Sequence, residues 1–206
     1  MISDRKRFVF VHIPRTAGTS VETALAPYAR TPIGFTVNDC TVLPDKHATA
    51  ATLRALVGPA FWEQAFTFSI VRDPWARMHS DYHFFRDVGP RLMPAFSELE
   101  RWLCDLALTT DFPTWLHRGA DRLDIAQWSY LAAPDGACLI DDIARFETID
   151  RDFARICATL GVEHALPRVN ATRHGDHRAA YTPEAITLVA RYAADDLHHF
   201  GYRFQP

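Results

Sequence analysis

The hydrophobic and polar positions along the chain form short apolar runs that alternate with amphipathic segments. The first run, residues 8–11, combines β-branched and aromatic residues on both faces, and residues 66–71 repeat the pattern. A loop follows each run, and helical spacing then opens near Val21 and at Pro74. Asp73 is a natural N-cap for the helix that starts with Pro74. The pattern therefore predicts two strand–loop–helix units.

A third unit and a further helix are predicted closer to the C-terminus. The apolar pattern indicates a strand over residues 139–140 and 143–146, and a helix over about 148–160 that ends at Gly161. A further helix is capped by Thr182, starts at Pro183 and runs to about Asp195. Residues 88–135 contain helical segments without sharp boundaries. Strands that alternate with helices favour an α/β fold with a central parallel β-sheet flanked by helices, and such sheets bind ligands at the carboxyl ends of their strands.

Composition indicates an ordinary globular protein. The chain has 206 residues, of which 48% are hydrophobic and 23% are charged, so we expect one domain over residues 1–206. A net charge of -3 provides no general attraction to nucleic acid or to an anionic membrane. Neither partner is expected, and an anion site would have to be built locally.

Cysteine spacing and the N-terminal sequence bear on the compartment. The four cysteines lie far apart without zinc-ligand spacing, and we expect them to be reduced and structural: Cys40, Cys104, Cys138 and Cys157. The first apolar run is broken by His12 and Pro14, so it is too short for a signal peptide or a membrane span. The sequence predicts a cytoplasmic location without a membrane span.

The loop after the first strand has the composition of an anion site. In residues 12–20, small side chains allow close approach of the backbone, and the following helix directs N–H groups at a ligand. Further donors come from Arg15, Thr16, Thr19 and Ser20. The segment lacks the GxxxxGK[ST] pattern of nucleotide triphosphatases. A capped connection without a ligand is the alternative interpretation.

The end of the second strand adds a second set of anion-binding groups. Arg72 lies where the strand ends, and Ser80 follows about two helical turns later, roughly 10 Å along the axis. Both side chains could reach one phosphate if the chain turns back over it. The alternative is an ordinary ion pair for Arg72 and a solvated position for Ser80.

These two motifs resemble those of sulfotransferases that use 3′-phosphoadenosine 5′-phosphosulfate (PAPS), especially the branch of carbohydrate 2-O-sulfotransferases and small bacterial relatives. Residues 8–20, F-V-F-V-H-I-P-R-T-A-G-T-S, look like the 5′-phosphosulfate loop, and residues 71–82, V-R-D-P-W-A-R-M-H-S-D-Y, look like the 3′-phosphate motif. Weaker similarities occur at residues 46–49, 144–153, 166–172 and 199–204. The resemblance implies the P-loop-nucleotide-hydrolase-like sulfotransferase fold.

The resemblance also implies PAPS as the co-substrate and no requirement for a metal. The residues it places around the 5′-phosphosulfate are Arg15, Thr16, Ala17, Gly18, Thr19 and Ser20. It places Arg72 and Ser80 on the 3′-phosphate, while Arg173 either covers the nucleotide or is a solvated charge. The family commonly has lysine at the position of Arg15; arginine keeps the charge but differs in geometry, so activity could be reduced or retuned.

We expect His47 to be the catalytic base. Histidine titrates near neutral pH, and His47 lies where related enzymes carry a catalytic histidine. Arg15 would stabilise the charge that accumulates on the departing phosphate oxygen. The acceptor would be a carbohydrate or another small alcohol. The candidate acceptor residues are His12, Gln127 and Tyr130, although His12 could instead make a structural hydrogen bond and Tyr130 could simply pack.

Two further interpretations remain open at this point. A phosphoryl-transfer enzyme such as a kinase would use the same architecture, but it would need P-loop and Mg²⁺-ligating residues that the sequence does not offer. A non-catalytic protein that binds adenosine 3′,5′-bisphosphate would need only the two phosphate motifs. His79 and His83 share a helical face without an evident third ligand, so we predict no metal site.

Overall fold

The structure is a computed structural model, and it describes residues 1–29, 46–163, 166–167 and 175–205. Its strands are β1 (Ile2–Ser3), β2 (Phe8–Val11), β3 (Phe66–Val71) and β4 (Asp142–Arg145). Its helices are α1 (Gly18–Leu25), α2 (Ala50–Val57), α3 (Pro59–Trp62), α4 (Pro74–His83), α5 (Gly89–Leu92), α6 (Glu98–Thr109), α7 (Phe112–Gly119), α8 (Trp128–Leu131), α9 (Ile149–Leu160), α10 (Pro183–Tyr192) and α11 (Ala194–Phe200). A π-helical turn, Phe84–Val88, extends α4.

The chain divides into two compact units, each built from two stretches of sequence. The first unit comprises Met1–Arg72 and Trp128–Ala171, and the second comprises Asp73–Gln127 and Thr172–Pro206. The expectation of a single domain stays a prediction. No helix in the described part of the chain is long and apolar enough to cross a lipid bilayer.

The first unit contains the sheet, with strand order β1-β2-β3-β4. β2 pairs with β3 and β3 pairs with β4 in parallel, whereas β1 pairs antiparallel with β2. The register places Val11 beside Ser69, and the Ser69 hydroxyl donates a hydrogen bond of 2.8 Å to the Val11 carbonyl oxygen. Since β2 and β3 run in the same direction, the residues that follow them emerge at the same edge of the sheet.

Buried aromatic and aliphatic side chains hold this sheet together. All four residues of β2 are buried, and the Phe10 and Phe68 rings stack with centroids 5.0 Å apart. The same core receives Val21 from α1 and Phe153 from α9. This two-sided burial explains why the strand patterns at residues 8–11 and 66–71 predicted β2 and β3 correctly.

The second unit is helical and is organised around buried tryptophans. Trp115 is fully buried, and its indole N–H donates to the Leu103 carbonyl oxygen at 3.1 Å. The Trp75 indole N–H donates to the Ile186 carbonyl oxygen at 3.1 Å, which ties α4 to α10. Each indole thus buries a large apolar surface while its polar atom remains hydrogen-bonded.

Helix boundaries agree with the sequence where a local capping signal exists. The Asp73 carboxylate accepts a hydrogen bond of 2.8 Å from the Ala76 N–H at the start of α4, and Thr182 accepts one from Ala185 N–H at the start of α10. Gly161, with φ of 59°, ends α9. The predicted caps and this helix end are confirmed.

Three boundaries differ from the prediction. α1 begins at Gly18 rather than near Val21. Its N-cap, Ala17, adopts a left-handed conformation and has no capping side chain, so the sequence contains no signal for this helix start. β4 begins at Asp142, and the predicted strand residue Leu139 instead donates its N–H to the Leu131 carbonyl oxygen. The single helix predicted to reach Asp195 is two helices, and the second one, α11, carries the fully buried Asp196.

Candidate functional site

The loop between β2 and α1 has an unusual backbone. Arg15 and Ala17 have φ angles of 67° and 71°, a left-handed conformation that is uncommon outside glycine. Ala17 occupies the N-cap of α1 without a side-chain hydrogen bond to the helix. The N–H groups at a helix start need acceptors, and an anion can serve where the cap side chain cannot. The loop is therefore suited to bind a phosphate or a phosphosulfate.

Gly18 lets the start of α1 approach the ring of His12. A Cβ atom at position 18 would lie 1.9 Å from His12 Cδ2 and 2.1 Å from His12 Nε2. No other residue fits there unless the imidazole moves. The shape of the loop therefore depends on where the His12 ring lies.

His12 is buried and paired with Glu22 of α1. Its Nδ1 lies 3.0 Å from Glu22 Oε1, and the two side chains are 3% and 4% exposed. Burial alone would raise the pKa of Glu22. The hydrogen bond and charge of His12, with the charges of the Met1 α-amino group and Lys46, outweigh burial, so the pKa of Glu22 lies below its ordinary value. The pair thus contains an ionised carboxylate under the loop.

His47, the predicted base, lies against the same histidine. The His47 Nδ1 atom is 3.0 Å from the backbone carbonyl oxygen of His12, and the two rings meet edge to face with centroids 4.5 Å apart. A carbonyl oxygen can only accept a hydrogen bond, so His47 Nδ1 must carry the proton. In the neutral ring, Nε2 then carries the lone pair that could accept a proton from a substrate.

Arg72 links the end of β3 to the loop. Its Nη1 atom donates to the Arg15 backbone carbonyl oxygen at 3.2 Å, and its guanidinium carbon lies 4.1 Å from the centroid of the Phe146 ring. The two contacts hold the guanidinium at the edge of the sheet where the loop lies. Arg15 and Arg72, predicted to act on one nucleotide, are thus neighbours in the first unit.

The remaining loop residues have different surroundings. The buried Thr16 hydroxyl donates to the Ile13 carbonyl oxygen at 2.9 Å, so its proton is already used to shape the loop. Ser20 is buried, whereas Thr19 is half-buried and its carbonyl oxygen accepts a hydrogen bond of 2.8 Å from Thr23. The direct contacts of these residues with a ligand stay predictions.

The other predicted site residues lie farther along the chain. Ser80 is buried on α4 of the second unit, and its role toward the 3′-phosphate stays a prediction from the resemblance. Gln127 is fully buried, and its backbone and side-chain N–H groups donate to the Asp196 carboxylate. Tyr130 is buried in α8 of the first unit. Arg173 lies outside the described residues.

The two histidines considered as metal ligands form a hydrogen-bonded chain. His79 Nε2 lies 3.3 Å from His83 Nε2, and His83 Nδ1 lies 3.2 Å from Asp87 Oδ2. Each nitrogen of His83 therefore already faces a partner. Among the described residues, no group of three or more histidine, cysteine or acidic side chains is arranged to hold a metal ion.

Glu22 is the site residue that the sequence analysis did not identify. Its neighbours Val21 and Leu25 are buried apolar residues of α1, and an acidic side chain among them signals a buried polar contact. That signal alone does not name the partner, because His12 lies on the other side of the loop.

Comparisons with known proteins agree with this arrangement. Residues 1–203 match the profile of a family described as the Sulfotransferase family. The crystal structure of mouse sulfotransferase SULT7A1 complexed with PAP aligns with a TM-score of 0.53 and 14% identity, covering 96% of this chain and 87% of that chain. At this identity the alignment shows a shared fold, and it confirms the predicted fold class. No curated protein sequence matches the chain significantly.

Proposed function

The chain belongs to the sulfotransferase family, and on this premise we propose that it transfers the sulfuryl group of PAPS to a hydroxyl of a carbohydrate or another alcohol. The observation that carries the proposal is the placement of His47 beside the β2–α1 loop, with its Nδ1 atom held by the His12 carbonyl oxygen. The backbone proposed to bind the anion and the side chain proposed to accept the proton thus lie within one unit of the protein. Sulfuryl transfer needs both.

Donor binding is assigned to the β2–α1 loop and the end of β3. The start of α1, where Ala17 provides no side-chain cap, would bind the 5′-phosphosulfate through backbone N–H groups. The resemblance assigns Arg72 to the 3′-phosphate, and the hydrogen bond from its guanidinium to the Arg15 carbonyl oxygen holds that guanidinium beside the loop. The similar fold of a sulfotransferase crystallised with PAP supports this assignment.

The chemical step is an in-line displacement at sulfur. The acceptor hydroxyl gives its proton to His47 Nε2 as its oxygen forms a bond to sulfur. The bond between sulfur and the bridging phosphate oxygen breaks, and adenosine 3′,5′-bisphosphate leaves. Arg15 and the loop N–H groups stabilise the negative charge that develops on the departing oxygen. The guanidinium of Arg15 takes the place of the lysine that the family commonly uses.

A transfer assay with a base variant tests the proposal. Radiolabelled PAPS is incubated with a panel of glycans, alcohols and phenols, and the His47→Ala variant is compared with wild type. We expect transfer by wild type and a loss of ~10²–10⁴-fold in the variant, since general-base assistance has that magnitude. The binding of adenosine 3′,5′-bisphosphate should persist. His117→Ala, at an exposed position of α7, is the matched control.

The other outcomes separate the rival functions. A near-normal rate in His47→Ala removes this residue from the mechanism. Tight binding of adenosine 3′,5′-bisphosphate without transfer to any acceptor favours a non-catalytic nucleotide-binding protein. Calorimetry that detects ATP with Mg²⁺ but not the bisphosphate favours phosphoryl transfer instead.

A further inference from the structure

His12 makes three contacts that join separate parts of the candidate site. Its ring pairs with Glu22, the same ring lies directly under Gly18 at the start of α1, and its backbone carbonyl oxygen accepts the hydrogen bond from His47. We infer that the Glu22–His12 pair is a positioning device that fixes both the phosphosulfate loop and the tautomer of His47. This inference rests on the proposed function and adds Glu22 and His12 to it as positioning residues.

The β-sheet does not fix the His12 carbonyl by itself. The last residue of β2 is Val11, which is paired with Ser69 of β3, and His12 follows that final pair. The direction of its peptide group therefore depends on contacts made after the strand ends. The buried ring of His12 and its ion-pair contact with Glu22, with Nδ1 3.0 Å from Oε1, supply such a contact. Because Glu22 belongs to α1, the helix holds the carbonyl that orients His47.

The negative charge of Glu22 determines how the His12 ring is oriented. Because the Glu22 carboxylate can only accept a hydrogen bond, the His12 nitrogen that faces it, Nδ1, carries a proton, and the ring keeps one orientation. The groups whose charge acts on Glu22 are His12, the Met1 α-amino group and Lys46, the residue before His47. A glutamine at position 22 would keep the hydrogen-bond acceptor without the charge, whereas an alanine would remove both.

The tautomer of His47 can be measured without any assay of activity. The protein is labelled with isotopically enriched histidine, and nitrogen chemical shifts distinguish Nδ1–H from Nε2–H in the unliganded chain. We expect His47 to be the Nδ1–H tautomer in wild type. Glu22→Ala should give a mixture of His47 tautomers. In Glu22→Gln the fraction of Nδ1–H tautomer should lie between those of wild type and Glu22→Ala. Glu63→Gln, an exposed position of the first unit, is the matched control and should match wild type.

Kinetics provides a second test, because a positioning role lowers kcat without lowering nucleotide affinity, whereas a general loss of structure would lower both. In Glu22→Gln the His12 ring still fills the space under Gly18, so the affinity for adenosine 3′,5′-bisphosphate should be retained. We expect kcat in Glu22→Ala to fall by at least about tenfold, as for other groups that orient a histidine, with partial recovery in Glu22→Gln.

The two proposals can fail separately. If His47 keeps a single tautomer in both Glu22 variants, the positioning inference is overturned, whether or not sulfuryl transfer is observed. If the tautomers mix but no acceptor is ever sulfated, the positioning inference stands and the proposed function fails. Should Glu22→Ala not fold, the isosteric Glu22→Gln variant still decides, since an unchanged tautomer together with unchanged kcat in that variant contradicts the inference.

Discussion

Replacing Gly18 with alanine is expected to destabilise the protein and to remove nucleotide binding. The new Cβ would lie 1.9 Å from His12 Cδ2, whereas carbon atoms in contact are separated by about 3.5 Å. The ring cannot move easily, because it is buried and its Nδ1 atom lies 3.0 Å from Glu22 Oε1. Overpacking of this kind costs about 1–3 kcal/mol. For a chain of this length, 3 kcal/mol corresponds to a decrease of roughly 6–12 °C in Tm.

A double-mutant comparison identifies the clash as the cause. Thermal unfolding is measured for Gly18→Ala in wild type and in a His12→Ala, Glu22→Gln background, which removes the ring without leaving a buried carboxylate unpaired. In that background the substitution should cost almost nothing, since the ring is absent. Gly175→Ala is the control, because a Cβ there meets no atom within 4 Å. An equal decrease in Tm in both backgrounds would show that the His12 ring is not what the new Cβ meets.

Two further predictions concern charge. The pKa of Glu22 lies below its ordinary value of 4.5 in the folded protein, so its carboxylate stabilises the fold above pH 4.5 and this contribution is lost as the pH falls through the lowered pKa. Urea denaturation should therefore show a steeper loss of stability on acidification for wild type than for Glu22→Gln, and parallel curves would contradict the assignment. Arg72→Lys loses the guanidinium that stacks on Phe146 and donates to the Arg15 carbonyl oxygen, so calorimetry should show about tenfold weaker binding of adenosine 3′,5′-bisphosphate and a clearly smaller loss for AMP. An equal loss for both nucleotides would place Arg72 away from the 3′-phosphate.

The sequence predicted those elements whose signals are local. Strands β2 and β3 are buried apolar runs bounded by turn residues. The start of α4 is predicted by its N-cap Asp73 and its first residue Pro74. The family prediction also came from contiguous motifs, and the match over residues 1–203 confirms it. The predicted roles of His47 and Arg15 stay predictions, because they depend on the resemblance rather than on a measured property.

What the sequence did not predict depends on contacts between distant residues. The break between α10 and α11 places Asp196 where its carboxylate accepts hydrogen bonds from Gln127, 69 positions away. β1 has only two residues and no periodic pattern to detect. The Glu22–His12 pair spans the whole loop, and neither residue type alone reveals its partner. Tertiary contacts of this kind set boundaries and pairings that local propensity does not contain.

A crystal structure of the protein soaked with adenosine 3′,5′-bisphosphate would show directly whether the β2–α1 loop binds the nucleotide. We expect density for the 5′-phosphate at the start of α1, within hydrogen-bonding distance of the backbone N–H groups of Gly18 and Thr19, with His47 Nε2 directed toward the same phosphate. Density for the nucleotide at another surface, with the β2–α1 loop unoccupied at saturating concentration, would show that this loop is not the donor site.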